Sequence, residues 1–375
     1  MNEATRNREA LYTFLEIMME KAYKGRAENK LEYEKGIPKV YVLELFPGLT
    51  ERDLFDLIKA EVQRVFHKKN PRITIDKNGE LLTAHFPNYE LYFDPFLFYS
   101  SEAARFRFVP VFTTSRSLES DAGIDKLVKH SLYFDYEWLN HNKSFKHLET
   151  FRVEAGSEFT GELEDETENV GFEFRSESSE YLSQIIKELS SHIPVNFTKG
   201  KFRIARNDLC LYVYSYSNGK MTFYGNDFDA VRTILTQVTD DYSQELKSIE
   251  KESELVHPIL MLFSRKKWLE SERLYSFLSK MIAIEDLKLF CTDILEEESY
   301  VKAIVADLHV GGALILRLHR YGLMVTLLKG SCANTVKRLE NFIRKSYDPE
   351  MELIIAEEEI VEKLEEIRYG GANVF

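Results

Sequence analysis

Apolar residues recur at helical spacing near the start of the chain. Leu11, Phe14, Leu15, Met18 and Met19 form a stripe that Tyr23 continues toward Gly25, which predicts a helix within residues 1–30. Val40 to Leu45 reads as a short strand closed by Pro47-Gly48. Thr50, with Asp53 three residues on, is an N-cap for a helix over about 51–67. Leu54, Leu57, Ile58, Val62 and Val65 are its apolar face. The period then changes to two. Arg72 to Asp76 alternates, Asn78-Gly79 makes a hairpin turn, and Leu81 to Phe86 returns. Tyr89 to Tyr99 and Phe106 to Thr113 add aromatic strands, so residues 1–115 read as an N-terminal α+β region.

Residues 116–175 form an aromatic and acidic connecting region. A short helix near 121–130 runs into a strand-like stretch from Leu132 to Trp138. Between Glu158 and Glu180 nine acids face the single Arg175, the pattern of a solvated loop with strand edges.

The second half repeats one unit. Tyr181 to Ile193 is a predicted helix, Leu209 to Tyr216 a strand and Asn218-Gly219 a turn. Lys220 to Tyr224 returns, and Gly225 precedes a helix over about 227–238. The same order follows about a hundred residues later. Leu274 to Ile284 is a helix, Ala313 to Arg320 a strand and Tyr321-Gly322 a turn. Leu323 to Leu328 returns, and Gly330 precedes a helix from Asn334 to Arg344. A hairpin with one apolar face needs a cover, and the following amphipathic helix supplies it. Leu211 and Val213, and Leu314 and Leu316, are the expected inward positions. The units span residues 176–250 and 251–349, and an acidic helix and tail occupy 350–375. The fold class is therefore α+β, antiparallel sheets backed by helices.

The run from Leu211 to Gly225, with Gly219-Lys220-Met221 at its turn, resembles the repeat of TATA-binding-protein-like domains. Gly322-Leu323-Met324 is the corresponding turn in the second copy, where Leu323 replaces the lysine. The resemblance implies a curved, helix-backed sheet with an open face able to hold nucleic acid or protein.

Charge changes the picture. The chain has 375 residues and a formal net charge of −13, which counts against binding a polyanion. Yet from Arg317 to Lys345 seven Lys and Arg stand against Glu340 alone, and from Lys199 to Gln237 six stand against three acids. Strand alternation puts Tyr212, Tyr214 and Tyr216 on the outer face of one copy and Ile315, Arg317 and His319 on that of the other. Aromatic and basic groups on an open sheet suit base stacking and phosphate contact. The candidate binding residues are Tyr212, Tyr214, Tyr216, Lys220, Arg232, Arg317, His319, Arg320, Lys337 and Arg338. In the competing reading the tyrosines pack against another layer and the basic residues pair with acids.

Composition sets the remaining limits. With 44% hydrophobic and 30% charged residues the chain is globular. Cys210, Cys291 and Cys332 are scattered, which excludes a disulfide framework and fits a reducing, cytoplasmic setting. The longest apolar stretch, Gly311 to Leu328, is broken by Arg317, His319 and Arg320, so no membrane partner is expected. The usual nucleotide, hydrolase and zinc-protease motifs are missing, and no cofactor is implied. One alternative is a metal-dependent hydrolase or nuclease centred on His130, Asp135, Glu137, His141 and His147. The expectation is a non-enzymatic binding or assembly protein, with nucleic acid as first partner and a protein partner or homo-oligomer as second.

Overall fold

In a computed structural model the described residues are 7–27, 36–45, 50–140, 153–159, 170–176, 188, 197–206 and 209–370. They belong to two units. The first contains residues 1–157, 172–187 and 197–243, and the second 158–171, 188–196 and 244–375.

The first unit opens with α1 (Arg8–Ala27), β1 (Lys39–Glu44), α2 (Glu51–Val65), β2 (Arg72–Ile75), β3 (Leu82–His85), β4 (Glu90–Phe93) and β5 (Phe108–Thr113). It continues through α3 (Ser117–His130), β6 (Asp135–Tyr136), β7 (Val153–Phe159), β8 (Val170–Ser176), β9 (Phe197–Arg206), β10 (Leu209–Tyr216) and β11 (Lys220–Gly225). The long helix α4 (Phe228–Glu254) begins here and ends in the second unit. The strands form one sheet in the order β2-β3-β4-β5-β1-β11-β10-β9-β7-β8, with β6 also paired to β1. Every position of β1 is buried, as expected of a central strand covered on both faces. The N-terminal region and the first repeat are thus not separate sheets, because β1 pairs with β11 in the register Lys39 to Thr222.

The second unit holds β12 (Ile259–Leu262), α5 (Leu274–Ile282), β13 (Leu289–Glu296), β14 (Tyr300–Asp307), β15 (Ala313–His319), β16 (Gly322–Leu327), α6 (Asn334–Ser346), β17 (Glu352–Ile354) and α7 (Glu357–Gly370). Its sheet runs β13-β14-β15-β16-β12-β17, antiparallel throughout. Burial alternates along β14 and β15. Val301, Ala303 and Val305, with Leu314, Leu316 and Leu318, face inward. Helix α5 packs across β13, β14 and β15 with Leu274, Phe277, Leu278 and Met281 buried. Among the described residues no helix is long and apolar enough to cross a membrane.

The α+β class and the repeated strand–turn–strand–helix order are both present, as β10-β11-α4 and β15-β16-α6. Leu211, Val213, Leu314 and Leu316 are fully buried, as the alternation predicts. The two hairpins that carry the TATA-like resemblance do not share a sheet: each is built into a different one. The matched glycines also differ in role. Gly219 has φ +70 and makes the turn, whereas Gly322 lies within β16, where a Cβ would meet the Met261 carbonyl oxygen at 2.4 Å. Gly330 (φ +88) reverses the chain before α6. Gly225 instead gives room to its antiparallel neighbour β10, since a Cβ there would sit 2.4 Å from the Cys210 carbonyl oxygen.

Other boundaries move. The helix expected to end near Val238 continues to Glu254. The C-terminal stretch from Met351 is not all helix: Glu352–Ile354 is an edge strand on β12, and α7 starts only at Glu357. Only Asp135–Tyr136 of the aromatic run after Leu132 pairs as a strand. The Pro47-Gly48 turn and most of the predicted helix at 181–193 lie outside the described residues, as does most of the acidic stretch 158–180.

Candidate functional site

The face of the second sheet opposite α5 can be read as rows across its strands. Tyr300 of β14 is register partner to His319 of β15. In the next row Leu295, Lys302, Arg317 and Met324 come from β13, β14, β15 and β16 in turn. Asp293, Ile304, Ile315 and Thr326 follow, and then Phe290, Ala306 and Ala313. Cross-strand partners share a face. Large side chains are left exposed here: Phe290 at 60% and Leu295 at 43%.

Two features of this face are chemically unusual. First, Lys302 and Arg317 are like charges in direct cross-strand register, an arrangement that repels. Among the described residues neither side chain forms an ion pair or a hydrogen bond, and Asp293, the acid one row away, bridges to neither. Second, three rings line up at the row end. Tyr300 and His319 have centroids 5.1 Å apart, and His319 stacks on Tyr321 at 5.1 Å with planes 14° apart. Burial, with the Arg317 charge beside it, lowers the His319 pKa, so the ring is neutral at pH 7.

Helix α7 covers the far end of the same face. Ile360 packs with Leu260 and Ile354, and Leu364, Leu262, Tyr321 and Met324 surround them. Leu260 is register partner of Met324, and Met324 of Arg317, so α7 borders the cationic row. Its six glutamates outnumber Lys363 and Arg368. Glu357 reaches His257 Nε2 at 3.2 Å.

The first sheet places Tyr212, Tyr214 and Tyr216 together on one face, half-buried between the fully buried Leu211, Val213 and Ser215. Their register partners on β9 are Arg203, Lys201 and Lys199. Much of this face is already engaged. Tyr23 of α1 stacks on Tyr212 at 6.1 Å, and Tyr214 packs edge-on to Tyr224 at 5.4 Å. Lys220 lies 4.9 Å from the Tyr216 ring and pairs with Asp121 at 2.7 Å, so its charge is balanced. Arg232 is not on this face. It sits on α4 over the Tyr12 ring and pairs with Asp229.

Lys337 and Arg338 are corrections to the basic-surface expectation. Both are buried on α6. Lys337 is held by Glu340 at 2.5 Å and Glu245 at 2.9 Å, and Arg338 by Asp307 at 2.6 Å. Two of these acids, Glu245 and Asp307, lie far from α6 in the sequence. Arg320, 54% exposed, donates to the Leu269 carbonyl oxygen and leans on Glu270 at 3.6 Å.

The described members of the histidine–carboxylate group do not assemble as a ligand set. His130 is exposed at the end of α3, where its carbonyl oxygen accepts from Arg64. Asp135 Oδ1 accepts from the Tyr136 amide and the Trp138 indole. His141 and His147 lie outside the described residues. Glu137 is fully buried, and among the described residues neither of its carboxyl oxygens has a well-formed hydrogen bond. Burial pushes its pKa up to about 8, the nearby Thr239 hydroxyl opposing and the Glu44 carboxylate adding to the shift.

Tyr300 and Lys302 went unrecognised in the sequence, although Tyr300 to Asp307 alternates as cleanly as β15. Fold and face together describe an α+β protein of two antiparallel sheets, the second carrying an incompletely covered cationic and aromatic surface. The chain belongs to the MJECL33-like protein family, whose pattern matches residues 1–361. It is similar to the uncharacterized protein MJECL33 of Methanocaldococcus jannaschii, at 25% identity over 406 aligned residues covering 92% of this chain and 93% of that one.

Proposed function

We propose that this protein binds nucleic acid through the outer face of its second sheet. The observation that carries the reading is the Lys302–Arg317 pair. Two cations in cross-strand register with no acid between them raise the free energy of the fold, and a bound phosphate relieves that repulsion. Tyr300, His319 and Tyr321 add ring surface beside it. The first sheet, with Tyr214 and Tyr216 half-buried on one face, is a secondary surface whose Lys220 is already paired with Asp121.

The test is binding of a labelled oligonucleotide at about 50 and about 200 mM salt, with a Lys302→Ser/Arg317→Ser double variant alongside. Salt-sensitive binding that the double variant loses supports the reading. Salt-insensitive binding, or binding that survives the double substitution, contradicts it.

A further inference from the structure

The face that carries the two cations is mostly apolar, and this bears on which kind of nucleic acid it takes. Leu295, Ile304 and Ile315 lie beside Lys302 and Arg317, Phe290 lies two rows away, Asp293 is the acid in the row between, and the Tyr300–His319–Tyr321 stack is at the other end. A duplex presents a ridge of phosphates with its bases stacked inside, so it rewards many protruding cations and little apolar surface. Here unpaired cations are few, while Phe290 is 60% exposed on an edge strand and no described ring stacks on it. Unstacked bases bring apolar faces that such a surface can cover.

Resting on the nucleic-acid reading above, we infer that the ligand is a single strand. Its bases stack on Phe290 at one end and on the Tyr300–His319 rings at the other, and its phosphates pass over Lys302 and Arg317. From Ala306, the register partner of Phe290, to Tyr300 is six residues of β14, a path of about 20 Å at roughly 3.3 Å per residue. That is room for a short run of nucleotides. The His319 ring, neutral at pH 7, serves as stacking surface, and the two permanent cations serve the backbone.

The experiment uses the full chain and three fluorescein-labelled probes of one sequence: a 12-nucleotide DNA strand, the same strand as RNA, and the DNA duplex. Anisotropy is read over a salt series, for the protein and for Phe290→Ala. Because Phe290 is exposed on an edge strand, its truncation leaves folding intact, which an unchanged melting temperature verifies. The inference expects single strands to bind at least about tenfold tighter than the duplex. It expects a log–log salt slope near −1.4, the value for two phosphates on a single strand, and a loss of about tenfold in Phe290→Ala. A preference between the DNA and RNA strands assigns the sugar within the same class. Equal or tighter duplex binding, or an unaffected Phe290→Ala, overturns the single-strand inference and leaves the broader reading standing. No binding to any probe overturns both.

Discussion

Lys302 of β14 stands directly opposite Arg317 of β15, half-buried, and neither side chain meets a carboxylate of the described residues. In a sheet that serves only its own stability, such a pair is a defect. Removing one of the two charges is therefore expected to stabilise the unit. Lys302→Thr should raise stability by about 0.2–1 kcal/mol in denaturant melts while weakening nucleic-acid binding. A loss of stability together with unchanged binding contradicts this account of the pair.

Helix α7 packs beside that row through Ile360 and Leu364, and its Glu362, Glu365 and Glu366 are exposed. Replacing these three by Gln is expected to tighten nucleic-acid binding several-fold at low salt, because like-charge repulsion on the approaching phosphates is relieved. The gain should vanish at high salt, and the melting temperature should stay put. An equal gain at both salts would point to a conformational cause instead.

Glu137 makes the first unit pH-sensitive. Its folded pKa, about 8, lies above the ordinary value of 4.5. The folded state therefore keeps a proton that the unfolded chain gives up, and the associated stability is complete below about pH 4.5. It is lost progressively as pH rises toward and through 8, at about 1.4 kcal/mol per pH unit. Glu137→Gln removes that dependence. The difference in unfolding free energy between variant and natural protein should move in the variant's favour by about 4 kcal/mol from pH 5 to pH 8. Urea melts at several pH values read it directly, and parallel profiles would rule it out.

Arg338 and Asp307 form a fully buried pair at 2.6 Å. Arg338→Ala leaves the Asp307 charge without its counterion and should cost about 3–5 kcal/mol. The loss would be seen as a fall in the denaturation midpoint of the second unit. If Arg338 were instead a surface phosphate contact, the same substitution would weaken binding with stability intact.

Gly225→Ala tests the close approach of β11 to β10. A Cβ would fall 2.4 Å from the Cys210 carbonyl oxygen, a backbone atom that cannot swing aside. A destabilisation of about 1–3 kcal/mol is expected, against almost none at an exposed helical position.

What the sequence discloses depends on how local the cause is. The outer face of β15 is legible because alternation is a property of adjacent residues: Ile315, Arg317 and His319 stand out against Leu314, Leu316 and Leu318. The roles of Lys337 and Arg338 are not legible. Their pattern on α6 is that of an ordinary basic helix face, and although Glu340 is within reach of Lys337 on the same helix, the other acids that pair with them, Glu245 and Asp307, are distant in the chain. Pairing across long separations is hidden for the same reason. Nothing near Val40 indicates that its strand joins β11, nearly two hundred residues away, or that this merges the N-terminal region with the first repeat. Lys302 becomes significant only when β14 is set in register against β15, although its own strand alternates plainly.

The most direct measurement of the central claim is the affinity of a labelled single-stranded oligonucleotide for the natural protein and for Lys302→Ser/Arg317→Ser. The double variant is expected to melt no lower than the natural protein and to bind at least about tenfold more weakly. Retained affinity in a folded double variant would contradict it.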